Sequence, residues 1–338
     1  MFFYSRLIYF GLILATVFGK GVIDIRSKSV GKKDLADRSD STVASFDLLI
    51  GDPIVSSDSA NCIIPFNRVG NLIVIQARVD TTEGNFILDT GAPKLILNMT
   101  YFRDYPSTSS AADESGGITG EVSVSNPTAV ARLSFGPIKY ARLDADRINL
   151  GHIENSRGIK ILGLLGMQLF KRFEMIIDYE NNVIHLHLVT RKDPRNYKSD
   201  MLKDTSRYNE YAIDIKEDKL MVTGEMVGKK LTFIIDTGAE ANVLDSRLPN
   251  KIFENVTINR RITLTGSGSS TVEALSGDMK NMKLGNKDIG TLPVLVTNLE
   301  NMCRAYNDNC LDGMLGFDFL SLHKIGFNFV SKRMYIWK

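Results

Sequence analysis

The sequence has few cysteines and no concentration of positive charge. Only 3 of its 338 residues are cysteine, so no disulfide framework is expected to hold the fold together. In an oxidising compartment Cys303 and Cys310 could close a short loop; because the total is odd, free thiols throughout, Cys62 included, are the alternative. The formal net charge is +2, with no long run of Lys or Arg. A nucleic-acid partner is therefore not expected, because such binding needs a concentrated basic face.

The sequence also lacks an apolar run long enough to cross a membrane comfortably. The segment from Leu7 to Phe18 is almost wholly apolar and follows Arg6, but a spanning helix needs about 20 residues. This pattern predicts that residues 1–19 are a signal peptide and that the protein is exported, periplasmic or secreted. No stable membrane span is expected after its removal. An uncleaved anchor or a buried amino-terminal helix is the alternative.

Composition and segmentation predict two lobes after a leader. Hydrophobic residues make up 43% of the chain and charged residues 24%, which is ordinary for a soluble globular protein. Residues 20–60 lack periodicity and are predicted to be a linker or a pro-segment. We expect the first lobe to span 61–190, a charged linker 191–207, and the second lobe 208–338.

One tetrapeptide occurs twice, each time at the end of an apolar strand. Phe86-Ile-Leu is followed by Asp89-Thr-Gly-Ala92, and Phe233-Ile-Ile by Asp236-Thr-Gly-Ala239. Before each motif the sequence predicts a strand, a tight turn and a returning strand. A second apolar-apolar-glycine block, ending at Gly166 and at Gly316, follows the two aspartates at nearly equal distances. An internal duplication is the economical interpretation.

Aspartate at the end of a buried strand is unusual unless the carboxylate has a function, because Asp is depleted in strands and costly to bury. If the two lobes pack with twofold pseudosymmetry, Asp89 and Asp236 meet at the axis and share one proton at mildly acid pH. The ionised carboxylate then serves as a base toward water, and the protonated one as an acid toward a carbonyl. The glycines allow close backbone approach, and the threonine hydroxyls can bond across the junction. A pair of ordinary Asp-Gly turns is the alternative.

On these motifs the chain resembles the pepsin- and retropepsin-like aspartic proteases, most closely the bacterial exported type with two retropepsin-like lobes in one polypeptide. The match covers about Ile63 to Lys338. The resemblance implies an all-β bilobal pepsin-like fold and an extended peptide or protein substrate, bound by a monomer that is an internal pseudodimer. It requires no cofactor or metal.

Carried over residue by residue, the resemblance implies a catalytic role for Asp89 and Asp236. It implies supporting roles around the dyad for Thr90, Gly91, Thr237, Gly238, Gly166 and Gly316. Residues expected to line the substrate channel, or to lie in glycine-rich flaps, are Ala92, Pro93, Ala239, Glu240, Gly117 and Gly268.

Two departures from the pepsin pattern are informative. Ala92 and Ala239 replace the hydroxyl residues typical of pepsins, which removes one stabiliser of the ionised carboxylate and predicts a less acidic pH optimum. Lys94 follows the first motif; we expect it to face solvent, although it could select acidic side chains from the substrate channel.

Two other functions are compatible with the sequence. A degenerate bilobal protein could hold peptides without cutting them, although two intact Asp-Thr-Gly motifs argue against this. Alternatively, the two lobes could each pair with another chain. His185 and His187 share a strand face, but without further ligands at suitable spacing they are expected to be surface or edge residues.

Overall fold

The computed structural model describes most of the chain after residue 51 and two short segments before it. The described residues are 8–9, 15–16, 52–56, 60–108, 113–116, 122–190, 192–194, 197–216, 218–265, 271–300, 302 and 311–338.

The first half of the chain is built almost entirely of strands. In order they are β1 (Ile8–Tyr9), β2 (Ala15–Thr16), β3 (Ile54–Val55), β4 (Asn61–Pro65), β5 (Asn67–Val69), β6 (Leu72–Val79), β7 (Thr82–Asp89), β8 (Leu95–Asn98), β9 (Asp113–Gly116), β10 (Val122–Phe135), β11 (Ile138–Ile148), β12 (Gly163–Gly166), β13 (Phe173–Asp178) and β14 (Val183–Leu188). Helix α1 (Gly151–Arg157) and a 3₁₀ turn (Met167–Leu169) lie among them.

The second half repeats this composition. Its strands are β15 (Tyr208–Ala212), β16 (Asp214–Lys216), β17 (Lys219–Met226), β18 (Lys229–Ile235), β19 (Val243–Asp245), β20 (Val256–Thr265), β21 (Thr271–Met279), β22 (Lys283–Leu284), β23 (Lys287–Asp288), β24 (Leu292–Thr297), β25 (Gly313–Leu315), β26 (Ile325–Asn328) and β27 (Arg333–Trp337). The helical segments are α2 (Asn250–Phe253), α3 (Phe317–Leu320) and 3₁₀ turns at Asp200–Leu202 and Thr205–Arg207.

The first lobe is a closed barrel of six strands. Its neighbours run β10, β11, β8, β12, β7, β6, and the barrel closes because β10 pairs with β6 as well as with β11. These strands are rich in β-branched and aromatic residues, which suit a pleated, packed surface. Phe86 and Leu133 are fully buried in its core.

The second lobe is a curled sheet in the order β20, β21, β24, β19, β25, β18, β17, β22, β23. The hairpin between β17 and β18 turns at Val227 and Gly228, both with positive φ (51° and 76°), as the twist of a tight hairpin requires. Here β17 pairs with the short β22. The corresponding pairing in the first lobe, between β6 and β10, closes the barrel.

A third sheet joins the lobes. Its order is β15, β27, β26, β13, β14, β4, and its central pairing is between β13 of the first half and β26 of the second. Met175, paired with Phe327, is fully buried, as is that phenylalanine. The all-β, bilobal, duplicated fold predicted from the sequence is thus confirmed.

Each lobe carries the hairpin that the glycine-rich segments predict. Strands β9 and β10 form one, and β20 and β21 the other. The tips, with Gly117 and Gly268, lie outside the described residues. Strand β2 pairs with β9, and β1 pairs with β20.

The segment between the lobes packs onto the joining sheet. Tyr197 stacks on His187 with ring centroids 4.0 Å apart, and Leu202 is fully buried. His187 is only 8% exposed, so the expectation of a surface or edge histidine is wrong for this residue. The sequence does not predict this burial, because the stacking partner Tyr197 belongs to a segment without apolar periodicity.

Of the cysteines, Cys62 on β4 is the one that the structure describes. Cys62 is buried and free, and burial raises its pKa to about 11. Cys303 and Cys310, like most of residues 1–60, lie outside the described residues. Among the residues that the structure does describe, no helix has the length and apolar character of a membrane span.

Candidate active site

The two aspartates stand at equivalent ends of paired strands. Asp89 ends β7, and β12 runs parallel to it so that Gly166 lies opposite Asp89. In the second lobe β25 is the parallel partner of β18, and the Asp236 amide donates to Leu315 O at 3.0 Å. The apolar residues before each aspartate are buried. Each aspartate lies where the strand ends and the loop begins.

The threonines join the two motifs across the lobe boundary. The hydroxyl of Thr90 accepts from the Thr237 amide at 3.0 Å and donates to Ile235 O at 2.9 Å. The hydroxyl of Thr237 accepts from the Thr90 amide at 3.0 Å and donates to Leu88 O at 2.9 Å. These four bonds are the cross-junction contacts predicted from the sequence, and they place the lobes face to face within one chain.

The carboxyls are buried against the opposite motif. Asp89 is 1% exposed and Asp236 0%. A β-carbon on Gly91 would lie 2.5 Å from Oδ2 of Asp236, and one on Gly238 would lie 2.7 Å from Cγ of Asp89. Real side chains do not tolerate such distances. Each glycine therefore makes room for the carboxyl of the other lobe.

Backbone amides fix the orientation of each carboxylate. Oδ1 of Asp89 accepts from the amides of Gly91 at 2.9 Å and Ala92 at 3.0 Å. Oδ1 of Asp236 accepts from the Gly238 amide at 2.7 Å. Each loop thus folds back on its own aspartate, and Oδ2 of Asp236 lies beside Gly91 of the opposite motif.

Burial raises the pKa of both carboxyls. For Asp89 the pKa lies well above the ordinary value, mainly through burial and then through the charge of Asp236. For Asp236 burial raises the pKa to about 6, opposed by the hydrogen bonds that the ionised form accepts, first that of the Gly238 amide. The two carboxyls therefore share one proton over a range of pH, because ionisation of both within one buried site is disfavoured.

The glycines of the second block pack directly behind the motifs. A β-carbon on Gly166 would lie 2.1 Å from Lys94 O, and one on Gly316 would lie 2.6 Å from Ala239 O. The next amide in each block, from Met167 or Phe317, donates to the oxygen of the motif alanine at 2.8 or 2.9 Å. These glycines support the loops by close backbone contact.

The predicted channel residues have different surroundings. Ala92 and Ala239 are 0% exposed and belong to apolar clusters, so their methyl groups pack behind the loops instead of lining an open surface. Pro93 is also buried. The carboxylate of Glu240 forms an ion pair with Arg157 of the first lobe. Gly117 and Gly268 lie outside the described residues.

The expectation that Lys94 faces solvent is wrong. Its Nζ lies 2.9 Å from Oδ1 of Asp146, and the two side chains are only 11% and 1% exposed. A buried carboxylate on β11 requires a compensating charge. The sequence gives no sign of this partner, because the pairing depends on β8 and β11 being parallel neighbours.

No group of three or more His, Cys, Asp or Glu side chains suited to a metal ion occurs within the residues that the structure describes. The site offers the chemistry of two coupled carboxyls. Backbone amides hold each carboxyl, and each packs against the glycine of the opposite motif. Such a pair can give up one proton and accept another within the same site.

A fold of two duplicated lobes with facing aspartates defines an aspartic-protease-like protein. The aspartyl protease family model matches residues 75–169 and 222–319, more than half of the chain. The chain belongs to this family.

Two solved structures are similar over most of the chain. Soybean basic 7S globulin is 11% identical with a TM-score of 0.43, covering 82% of this chain and 94% of its own. Conglutin gamma, a basic 7S globulin from lupine seeds, is 12% identical with a TM-score of 0.44, covering 82% and 95%. A search of curated proteins finds no match. At these scores the neighbours add nothing on activity.

Proposed function

We propose that the protein is an aspartic endopeptidase that hydrolyses peptide bonds with a water activated between Asp89 and Asp236. The observation that carries the proposal is the buried carboxyl pair, each member of which lies against the glycine of the opposite motif. A non-catalytic scaffold has no need of two buried carboxyls in this arrangement, because bringing them together disfavours ionisation of both.

In the proposed reaction Asp236 is ionised and Asp89 protonated. The water oxygen attacks the carbonyl carbon of the scissile bond while its proton passes to Asp236 and Asp89 donates its proton to the carbonyl oxygen. The tetrahedral diol then collapses: the nitrogen takes up the proton held by Asp236, a diol hydroxyl returns its proton to Asp89, and the C–N bond breaks to give a carboxyl and an amine. No covalent intermediate forms.

We propose a peptide or protein in extended conformation as the substrate. Support comes from the two hairpins, β9–β10 and β20–β21, one from each lobe, since an extended peptide can bind alongside strands by backbone hydrogen bonds. We further propose that the active form is a monomer and that the protein is exported. The four threonine bonds within one chain support the monomer over lobes that pair with another chain.

The test is cleavage of a denatured protein mixture between pH 3 and 7 by the wild-type chain, Asp89→Asn and Asp236→Asn. We expect cleavage by the wild type and a loss of at least about a thousandfold in each variant, because removing one acid–base group of a pair disables both roles. Asp218→Asn, in a partly exposed ion pair with Lys171, is the matched control and should keep its activity.

Two outcomes would overturn the proposal. Cleavage that survives in both variants would exclude the dyad as the catalytic group. A folded wild type that binds peptides without cutting them at any of these pH values would favour the peptide-holding alternative.

A further inference from the structure

The loop that carries Asp236 is held by the opposite lobe through a second contact besides the threonines. Glu240, four residues after Asp236, forms an ion pair with Arg157 at the end of α1, and the two side chains are 9% and 15% exposed. The carbonyl of Glu240 also accepts from Nδ2 of Asn71 at 3.3 Å. Both partners belong to the first lobe.

The turn between β5 and β6 is shaped around this ion pair. A β-carbon on Gly70, which has a φ of +62°, would lie 3.0 Å from Nη1 of Arg157 and 3.4 Å from Oε2 of Glu240. A larger residue would be strained in this conformation and would crowd both charged groups. The hairpin turn, the helix end and the loop therefore meet at one packed contact between the lobes.

Among the residues that the structure describes, the second motif loop forms this contact and the first has a different residue at the equivalent position. The position four residues after Asp89 is Pro93, which carries no charge and is buried. The charged residue of that loop, Lys94, pairs instead with Asp146 inside its own lobe. Both loops share the threonine bonds across the junction. Beyond these, the charged residue of the first loop pairs within its own lobe, whereas that of the second loop pairs with the opposite lobe.

The ion pair between Arg157 and Glu240 is largely buried, so the protein is sensitive to the loss of either partner. Removing one member of a buried ion pair leaves an uncompensated charge, which costs far more than losing a surface pair. The Arg157 side chain is only 15% exposed, and this burial lowers its pKa below the ordinary value. The contact therefore constrains the position of residues 236–240.

We propose that Arg157 is a positioning residue, which holds the Asp236 loop at the distance from Asp89 that the reaction requires by binding Glu240. The inference rests on the proposed function for its kinetic readout. It goes further because it assigns to the first lobe a residue that the repeated motifs do not contain. Arg157 does not touch the reacting atoms, and its influence passes through Glu240 and the loop.

The experiment compares Arg157→Met, Arg157→Lys and the double variant Arg157→Met/Glu240→Gln with the wild type. We expect kcat to fall about 10- to 100-fold in Arg157→Met with little change in KM, since small misplacements of a catalytic group have effects of this size. Arg157→Lys should recover part of the loss. Arg78→Met, from an exposed pair with Glu83, is the matched control and should leave kcat unchanged.

A second readout separates positioning from a merely structural role and does not require activity. The ionisation of Asp236, followed by NMR of its carboxyl carbon, should move to higher pH in Arg157→Met, because the Gly238 and Ala239 amides that favour its ionised form are held less firmly. The double variant removes the direct effect of the Glu240 charge, so a rise that persists there reports the position of the loop. It also carries no unpaired charge, which guards against failure to fold.

The outcomes are distinct. Folded variants with unchanged kcat and an unchanged Asp236 titration would overturn the positioning role, as would a rise that disappears in the double variant. If the wild type does not cleave any substrate, the proposed function fails. The NMR titration then decides the positioning of Asp236 by itself.

Discussion

Thr90 and Thr237 exchange equivalent hydrogen bonds, each hydroxyl accepting from the backbone amide of the other at 3.0 Å. Each hydroxyl also donates to a backbone carbonyl one lobe away. The residues are 0% and 2% exposed. The junction that carries the dyad is therefore held by buried bonds that neither lobe can form alone.

Thr90→Val keeps the shape of the side chain and removes two of these bonds. We expect a loss of about 2–4 kcal/mol in the free energy of unfolding, because the Thr237 amide and the Ile235 carbonyl are left buried without partners. Denaturant unfolding measures this, and Thr90→Ser should restore most of it. Thr128→Val is the control within one lobe, losing the single bond to Pro106 O; an equal loss there would contradict a special role for the junction.

Gly91→Ala tests the close approach of the motif to the opposite carboxyl. A β-carbon placed 2.5 Å from Oδ2 of Asp236 must displace the buried carboxyl, so we expect a loss of activity of at least about a hundredfold and a destabilisation of about 1–3 kcal/mol. Cleavage rates and denaturant unfolding check the two effects. The control is Gly151→Ala, where the only contact is with the side-chain oxygen of Asn149; a comparable loss in that variant would point to a nonspecific cause.

The pH dependence of activity follows from the raised pKa values of the dyad. The proposed reaction needs Asp236 ionised and Asp89 protonated, and burial raises the pKa of Asp236 to about 6 and that of Asp89 well above its ordinary value. As the pH falls below about 6, Asp236 takes up a proton and the rate should decrease. As the pH rises through the pKa of Asp89, the second carboxyl ionises and the rate should decrease again.

A profile of kcat/KM against pH measures these two decreases in rate for the free enzyme. We expect a maximum in the mildly acid to neutral range, in agreement with the less acidic optimum predicted from Ala92 and Ala239. A maximum near about pH 2, where a carboxyl stabilised in its ionised form would operate, would contradict both the raised pKa of Asp236 and the argument from the alanines.

The repeated motif is the reason that the site could be found in the sequence. Asp89 and Asp236 each end an apolar strand, and local patterns of this kind depend on neighbours in the chain. Duplication then supplies the long-range relationship, because two equivalent loops must meet at a symmetry axis if the lobes pack as a pair. The bonds between Thr90 and Thr237 were accessible to prediction for the same reason.

The ion pairs could not be predicted in this way. Lys94 and Asp146 meet because β8 and β11 are parallel neighbours, and Glu240 meets Arg157 because the lobes are packed together. Neither pair follows the duplication, so nothing in one half points to the partner in the other. The stacking of Tyr197 on His187 could not be predicted either, since it depends on how an aperiodic segment crosses the joining sheet.

Lys94 provides a test that separates a structural charge from a substrate-binding one. Lys94→Met leaves Asp146, 1% exposed, without its ammonium partner, and we expect a cost of about 3–5 kcal/mol in the free energy of unfolding. The double variant Lys94→Met/Asp146→Asn should recover a substantial part of this free energy, because neither charge of the pair then remains. The preference among peptides with acidic or neutral side chains should not change in either variant. A selective loss of cleavage for acidic peptides, with stability unaltered, would instead place the Lys94 ammonium in the substrate channel.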